Sequence, residues 1–187
     1  MANKDSAFGL RPIGKVGQNR DNQGLSEYDI AASSAAIFQN DPVEMAATGA
    51  ITVAAATDLL LGSLTGVFFT DASTSKPTFA NHLKASNTAS DIKGFVSDDP
   101  YERFEIQSDD ATAAADVGLN ADIVYASGAT PNFVSKVELD HSDLKTATAQ
   151  LRVLAISKDI ENNEAGSANV NLVVMINEHF LKGTVGI

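Results

Sequence analysis

Two apolar stretches near the end of the chain decide the fold: AQLRVLAISKD (residues 149–159) and NVNLVVMINEHFL (residues 169–181). Each carries apolar side chains at every second position, which is the period of a strand with one buried face. These residues are Leu151, Val153 and Ala155 in the first stretch and Val170, Leu172, Val174 and Ile176 in the second. The polar loop ENNEAGS (residues 161–167) separates the stretches, so the pattern predicts a long antiparallel hairpin.

Shorter apolar runs bounded by turn residues precede this hairpin. Strands are predicted within residues 27–31, 36–47, 50–56, 62–71 and 118–126, with two more in 92–110 and turns at 40–42 and 98–100. In the second strand of residues 92–110, Phe104 and Ile106 alternate with polar residues, which is typical of a half-buried strand. Residues 75–85 fit a short helix or an irregular crossover, and we prefer the crossover. The spacing favours an all-β fold, an antiparallel β-sandwich or barrel-like body.

The composition is that of an acidic globular protein. The 187 residues suit one domain, or one domain with an arm. The formal net charge of −11 opposes binding to phosphate backbones and to anionic membranes, so we expect no nucleic-acid and no membrane partner. The absence of cysteine excludes disulfides, thiolate catalysis and cysteine-ligated metals. The polar N-terminus predicts no signal peptide.

No pattern in the sequence points to catalysis or to a cofactor, and we predict that the protein is not an enzyme. The histidines lack metal-ligand spacing, and glycine-rich phosphate loops are missing. His141 lies within DHSD (residues 140–143), which we interpret as a solvated turn, since catalytic triads normally converge from separate segments. An acidic series could hold calcium, although we favour a solvated or partner-facing patch. Its members are Asp98, Asp99, Glu102, Glu105, Asp109 and Asp110.

The first 24 residues, MANKDSAFGLRPIGKVGQNRDNQG, match neither a helix nor a strand. Ordering a backbone costs about 1–2 kcal/mol per residue, and we expect this segment to have no ladder or core of its own to offset that cost. It therefore either stays disordered or lies across another surface that contributes the missing contacts. Spaced apolar residues and four cations, including Arg20, favour the second. We therefore divide the chain into an extended N-terminal arm (residues 1–25) and a β-rich body (residues 26–187). The residues predicted to contact a partner are Phe8, Leu10, Arg11, Pro12, Ile13 and Lys15.

Several stretches carry a family resemblance that extends over nearly the whole chain. They are MANKDSAFGLRPIGKVG, YDIA, IFQNDPV, GFVSDDPYERFEIQSDD, DVGLNADIV, QLRVLAISKDIENNEAG and NLVVMINEHFLKG. Together they resemble the small structural proteins of tailed bacteriophages that are encoded near the major capsid protein, in particular head decoration (capsid cement) proteins. The resemblance rests on the general similarity of these stretches and includes no catalytic signature.

The resemblance implies a virion structural protein that binds the outer surface of the major capsid shell and stabilises the joints between capsomers. Its implied partners are the major capsid protein and further copies of this chain, as a homotrimer or a dimer. The implied location is the capsid exterior, after synthesis in the host cytoplasm. Two alternatives stay open: a phage tail or head–tail adaptor subunit, and a small carbohydrate-binding β protein.

Overall fold

The computed structural model describes residues 2–17 and 24–183. Apart from three short 3₁₀ turns, the regular elements of this part of the chain are all strands. The strands are β1 (Arg11–Lys15), β2 (Ser26–Asp29), β3 (Pro42–Met45), β4 (Ile51–Val53), β5 (Leu60–Thr70), β6 (Pro77–Ala80), β7 (Lys93–Ser97), β8 (Glu102–Gln107), β9 (Asn120–Ala121), β10 (Ile123–Val124), β11 (Glu138–Leu139), β12 (Leu151–Ile156) and β13 (Asn171–Ile176).

The strands form antiparallel sheets that build a β-sandwich body, as the sequence predicts. The first sheet has the order β1-β8-β13-β12-β9, and the second has the order β2-β7-β5-β3-β4 with β6 added beside β5. Strands β10 and β11 form a two-stranded sheet. Each large sheet has its own cluster of buried apolar residues. Strand β5 belongs to both clusters, because Leu60 packs in the first and Leu61 in the second.

The hairpin predicted from residues 149–181 is confirmed. Strands β12 and β13 pair antiparallel, with Leu151 opposite Ile176 and Val153 opposite Val174. A shift in register follows Val153, so that Ala155 lies opposite Val173. Because Leu172 and Val174 fill the core, Val173 points to the other face, and the expectation that Ala155 shares the buried face of Val153 is wrong.

Three other local expectations need correction. Residues 36–39 form no strand, and only single bridges join Ile37 to Leu83 and Gln39 to Val134. Residues 77–80 are neither helix nor irregular crossover but strand β6, which pairs with β5. The strand predicted within residues 118–126 is broken into β9 and β10. The bridges of residues 37 and 39 and the pairing of β9 with β12 depend on distant segments, which local sequence does not reveal, whereas β6 forms a local hairpin with β5.

Strand β8 is buried on both faces, and the prediction of a half-buried strand is wrong. Phe104 and Ile106 fill the first core, while Glu105 and Gln107 on the opposite face are 6% and 0% exposed. Glu105 accepts hydrogen bonds from Arg11 and from the Ser157 hydroxyl. The strand therefore needs polar partners on its second face, and part of them come from the N-terminal segment.

The N-terminal segment is bound to the body by Gln107 of that second face and by Asn162 of the loop between β12 and β13. Gln107 accepts from the Ser6 N–H (2.8 Å) and donates to the Lys4 carbonyl (3.0 Å). Asn162 accepts from the Lys4 N–H (2.8 Å) and donates to the same carbonyl (2.9 Å). These buried amides satisfy backbone groups that have no ladder partner, as burial requires.

Leu10 binds the same segment to both sheets, through its side chain and through its backbone. Its side chain is fully buried in the first core cluster. Its N–H donates to the Asn40 carbonyl (2.9 Å), and its own carbonyl accepts from the Ser63 hydroxyl of β5 (2.6 Å). From there β1 pairs antiparallel with β8. The expectation that the leading segment has neither a ladder nor core contacts of its own is wrong for residues 2–17.

Gly9 makes this approach possible. Its φ of +73° lies in the left-handed region, and a Cβ there would come within 2.3 Å of the Asn40 carbonyl oxygen. It would also come within 2.5 Å of the Ser135 Cβ. Only a glycine brings the chain close enough to its neighbours for Leu10 to reach the core.

We expect Leu10→Ala to lower the free energy of unfolding by about 2–5 kcal/mol, since it empties a fully buried site. Ile13→Ala is the matched control on the same segment: Ile13 is 45% exposed, and we expect a change below about 1 kcal/mol. Urea titration followed by circular dichroism measures both. Equal, small effects of the two substitutions would show that the segment does not pack as described.

Candidate functional site

The N-terminal residues predicted to contact a partner lie in different environments. Leu10 is fully buried, so the native chain cannot offer its side chain to a partner. Pro12 lies opposite Phe104 in the ladder, and it is half-buried, like Phe8. Ile13 is 45% exposed. Among these apolar residues, Ile13 is therefore the one that presents most of its side chain to the surface. Arg20 lies outside the described residues.

The cations of β1 are paired with β8 and with the turn that precedes it. Arg11 forms an ion pair with Glu105, and its guanidinium lies 4.5 Å from the centre of the Phe8 ring. Lys15 Nζ lies 2.5 Å from Asp99 Oδ2. The hydrogen bond to Asp99 raises the pKa of the Lys15 amine, so this residue stays charged. Both pairs bind β1 to the body and reduce the cationic character that the isolated sequence shows.

His141 and its neighbours form a short 3₁₀ turn, His141–Asp143. The Ser142 hydroxyl donates to Asp140 (2.6 Å), and Asp143 lies 2.8 Å from the Lys145 amine. Asp140 also accepts from the Ser142 N–H (2.9 Å), which caps the turn. The Ser142 hydroxyl is thus bonded to the capping carboxylate of Asp140 and not to the His141 imidazole. Ser142 and His141 therefore lack the hydrogen bond that activates a serine nucleophile.

The acidic series is dispersed among separate partners. Asp98 accepts from the Tyr28 hydroxyl (2.6 Å), Glu102 from the Gly14 N–H (3.1 Å), and Asp109 from the His141 N–H (2.9 Å). Across residues 2–17 and 24–183, no group of three or more histidine, aspartate or glutamate side chains is placed to hold a metal ion. These carboxylates act as local structural acceptors.

Two of the buried titratable side chains of the body, Asp41 and His179, have strongly shifted pKa values. Asp41 is fully buried, and its Oδ2 accepts from the Phe38 N–H (2.7 Å). Burial raises the pKa of Asp41 from 3.8 to about 6. His179 is 1% exposed, its Nδ1 accepts from the Leu181 N–H (3.0 Å), and burial lowers its pKa to about 4. Each side chain accepts a hydrogen bond from a backbone N–H of its own segment, which is a structural role.

An apolar groove crosses the outer face of the first sheet, on the side away from the core. Its volume is about 730 Å³. We call it the outer groove. Its floor is formed by Leu154 of β12 with Val173 and Met175 of β13, and Ile13, Val16 and Tyr101 lie at its rim. The charged residues that line it are Arg103, Glu105 and Lys158.

The rim of the outer groove is unusually apolar for an exposed edge. Ile13, Val16 and Tyr101 are 45%, 49% and 58% exposed. The Val16 N–H donates to the Tyr101 carbonyl (2.9 Å), so the end of β1 is bonded to this residue. Lys182 Nζ lies 4.4 Å from the centre of the Tyr101 ring. The rim thus places an exposed aromatic ring beside two exposed aliphatic side chains, and aromatic residues are enriched in interfaces.

Sequence reasoning missed the floor of this groove. The alternation in β12 and β13 predicts one buried face, although LRVLAI and NLVVMI carry apolar residues on the other face as well. Strands of that kind are normally covered on both sides. The second apolar set was therefore a usable signal. The register shift after Val153 was not, because it depends on pairing across the hairpin.

Comparison of the chain with protein-family models, with curated proteins and with solved structures finds no match. Within residues 2–17 and 24–183, no helix is long and apolar enough to cross a bilayer. The functional interpretation therefore depends on the surface itself: the outer groove, its cations and the exposed side chains at the end of β1.

We expect Asp41→Asn to remove one component of the pH dependence of stability. Because the folded pKa of Asp41, about 6, lies above its unfolded value of 3.8, this group favours folding below pH 4, and its contribution is lost as the pH rises to 6. The difference corresponds to about 3 kcal/mol. The variant should therefore gain stability relative to the wild type between pH 4 and pH 7, as measured by urea titration at each pH.

The titration of His179 does not disturb this comparison of wild type and variant. His179 acts in the opposite direction: its contribution is present above pH 6.5 and is lost as the pH falls towards 4. It is common to both proteins and cancels in their difference. A difference between wild type and variant that does not change with pH would show that Asp41 is ionised in the native state without penalty.

Proposed function

We propose that this chain is a virion structural protein that binds the outer surface of a tailed-phage capsid and reinforces the joints between capsomers. The observation that carries the proposal is the surface at the end of β1, where Ile13, Val16 and Tyr101 are exposed together beside an apolar groove. Contiguous apolar side chains on a surface mark sites of protein–protein interaction. The family resemblance in the sequence supplies the identity of the partner.

The charge of the molecule suits an exterior position. With a formal net charge of −11, the chain is repelled by packaged DNA and has no electrostatic reason to enter the shell. The described surface offers no nucleophile–base pair at His141 and no cluster of metal ligands. A role that requires only binding is therefore the one that these residues support best.

The proposed attachment differs from that of a free arm. Leu10 and the first residues of the segment are held in the body, so the contact to the capsid comes from the exposed part of β1 and the sheet beside it. A standard interface buries about 800 Å² per partner. Association of copies of this chain, as a trimer or a dimer, would multiply such a contact by multivalency.

The test is co-sedimentation of the purified protein with phage heads assembled without it. We expect the wild type to sediment with the heads and the double variant Ile13→Asp, Val16→Asp to bind at least tenfold more weakly, because two charges enter an apolar contact. Point substitutions are preferred to deletion of the segment, since deletion would also remove the buried Leu10 side chain.

Phe79→Asp is the matched control. Phe79 is 75% exposed, but it lies on β6 of the second sheet, away from the groove. We expect it to leave binding unchanged. Equal binding by the double variant and the wild type would overturn the proposed surface, and failure of the wild type to bind heads would overturn the proposed function. Rings or tubes formed by the protein alone in electron micrographs would favour a tail or adaptor subunit instead.

A further inference from the structure

We infer that the outer groove binds an extended protein segment in which acidic side chains stand among apolar ones. This inference rests on the proposed function and deepens it, because it gives the chemistry of the capsid segment that the groove would take.

The floor of the groove has the composition of a covered surface. In β13, Leu172 and Val174 face the core, while Val173 and Met175 face the groove. An antiparallel sheet that faces water normally alternates apolar and polar residues, whereas strands covered on both faces are apolar throughout. The groove therefore requires an occupant that contributes apolar side chains.

The charges of the groove determine the second property of the occupant. The carboxylate of Glu105 is already bound by Arg11 and by the Ser157 hydroxyl. Arg103 interacts with the charge of Glu102 but forms no ion pair within the described residues, and its buried Nε has no acceptor there. Lys158 is exposed and forms no ion pair within residues 2–17 and 24–183. Two cations thus remain for an incoming anion, on a chain whose formal net charge is −11.

A second copy that docks through the same face does not meet this requirement. A two-fold symmetric contact brings each patch against itself. The Arg103 and Lys158 side chains of one copy would then enter a contact that holds the same two cations, and like charges oppose association. The complementary partner is an acidic surface, and carboxylates that lie next to apolar residues satisfy both the cations and the floor.

The dimensions of the groove favour an extended segment over a compact domain. Its lining residues come from four neighbouring strands, β1, β8, β13 and β12. Strands are spaced by about 4.8 Å, so a segment that crosses all four spans about 14 Å. An extended chain covers that distance with four or five residues, at about 3.3 Å per residue. The contact is short, so it contributes usefully when several copies bind at once.

The experiment uses short synthetic peptides with blocked termini. The probe is Leu-Glu-Val-Glu-Leu carrying a fluorescent label. One comparison peptide has lysine in place of glutamate, and the other has serine in place of the apolar residues. We expect the probe to raise the fluorescence anisotropy when it binds the full chain, and both comparison peptides to bind at least tenfold more weakly. Equal binding of the acidic and the basic peptide, or no binding of the probe, would overturn the inference.

The site is assigned with matched variants. The double variant Arg103→Gln, Lys158→Gln removes both groove cations, and we expect it to bind the probe at least fivefold more weakly. The control is Lys76→Gln, Lys84→Gln, which removes two exposed cations outside the groove and should bind as the wild type does. Circular dichroism checks that each variant is folded. Because the Arg103 variant could fold poorly, Lys158→Gln alone is tested as well, with a loss of at least twofold expected.

Other occupants give different outcomes. Self-association that Ile13→Asp, Val16→Asp abolishes, without binding of the probe, would overturn the inference in favour of a second copy. A chain ending at Gly183 that binds the probe more tightly than the full chain would overturn it in favour of residues 184–187. Binding of the probe without binding of phage heads would contradict the proposed function alone. If Arg103→Gln, Lys158→Gln binds phage heads as well as the wild type does, that result would contradict the role of the groove alone.

Discussion

The packing and hydrogen bonding of Leu10 between the two sheets is the constraint on which the rest of the structure depends. Its side chain completes the first core, while its backbone is bonded to Asn40 and to Ser63, which belongs to the second sheet. Because Leu10 is held at this position, β1 begins at the next residue and pairs with β8 in the observed register. The two layers are joined by the same short segment that covers the polar face of β8.

This arrangement explains the unusual burial of polar side chains in the first sheet. Glu105 and Gln107 on the outer face of β8 are almost fully buried, and burial without partners would cost about 1–3 kcal/mol for each group. The N-terminal segment supplies those partners through Arg11 and through the backbone of Lys4 and Ser6. Farther along the same face the covering stops, and Val173 and Met175 are left as the floor of the outer groove. One face of the first sheet therefore carries hydrogen-bonded, covered polar side chains directly beside apolar side chains that are not covered.

The sequence predicted the fold class and the closing hairpin because alternation in β12 and β13 is a local signal that packing obeys. It did not predict that residues 2–17 lie in the body, since the contacts of Lys4 and Leu10 come from Asn162, Gln107 and Asn40. Glycine and proline in that stretch hide its strand, which is short and has a bulge between Pro12 and Gly14. Of the predicted contact residues, Ile13 is exposed beside the groove, whereas Leu10 is withdrawn into the core. Exposure depends on distant partners, and a single sequence does not give them.

The bond between Asn3 and the loop before β13 has a kinetic consequence. The Asn3 amide donates to the carbonyl of Ala168 (3.0 Å), 165 positions away. During translation the first residues emerge from the ribosome long before the segment that receives them. Contacts between distant residues close late and slow the folding of β-proteins. Each new chain thus passes through a state in which the leading segment and the edge of β8 are both unpaired. Chains synthesised together at high density are able to exchange these segments during that interval, so rapid release and dilution of nascent chains favour pairing within one chain.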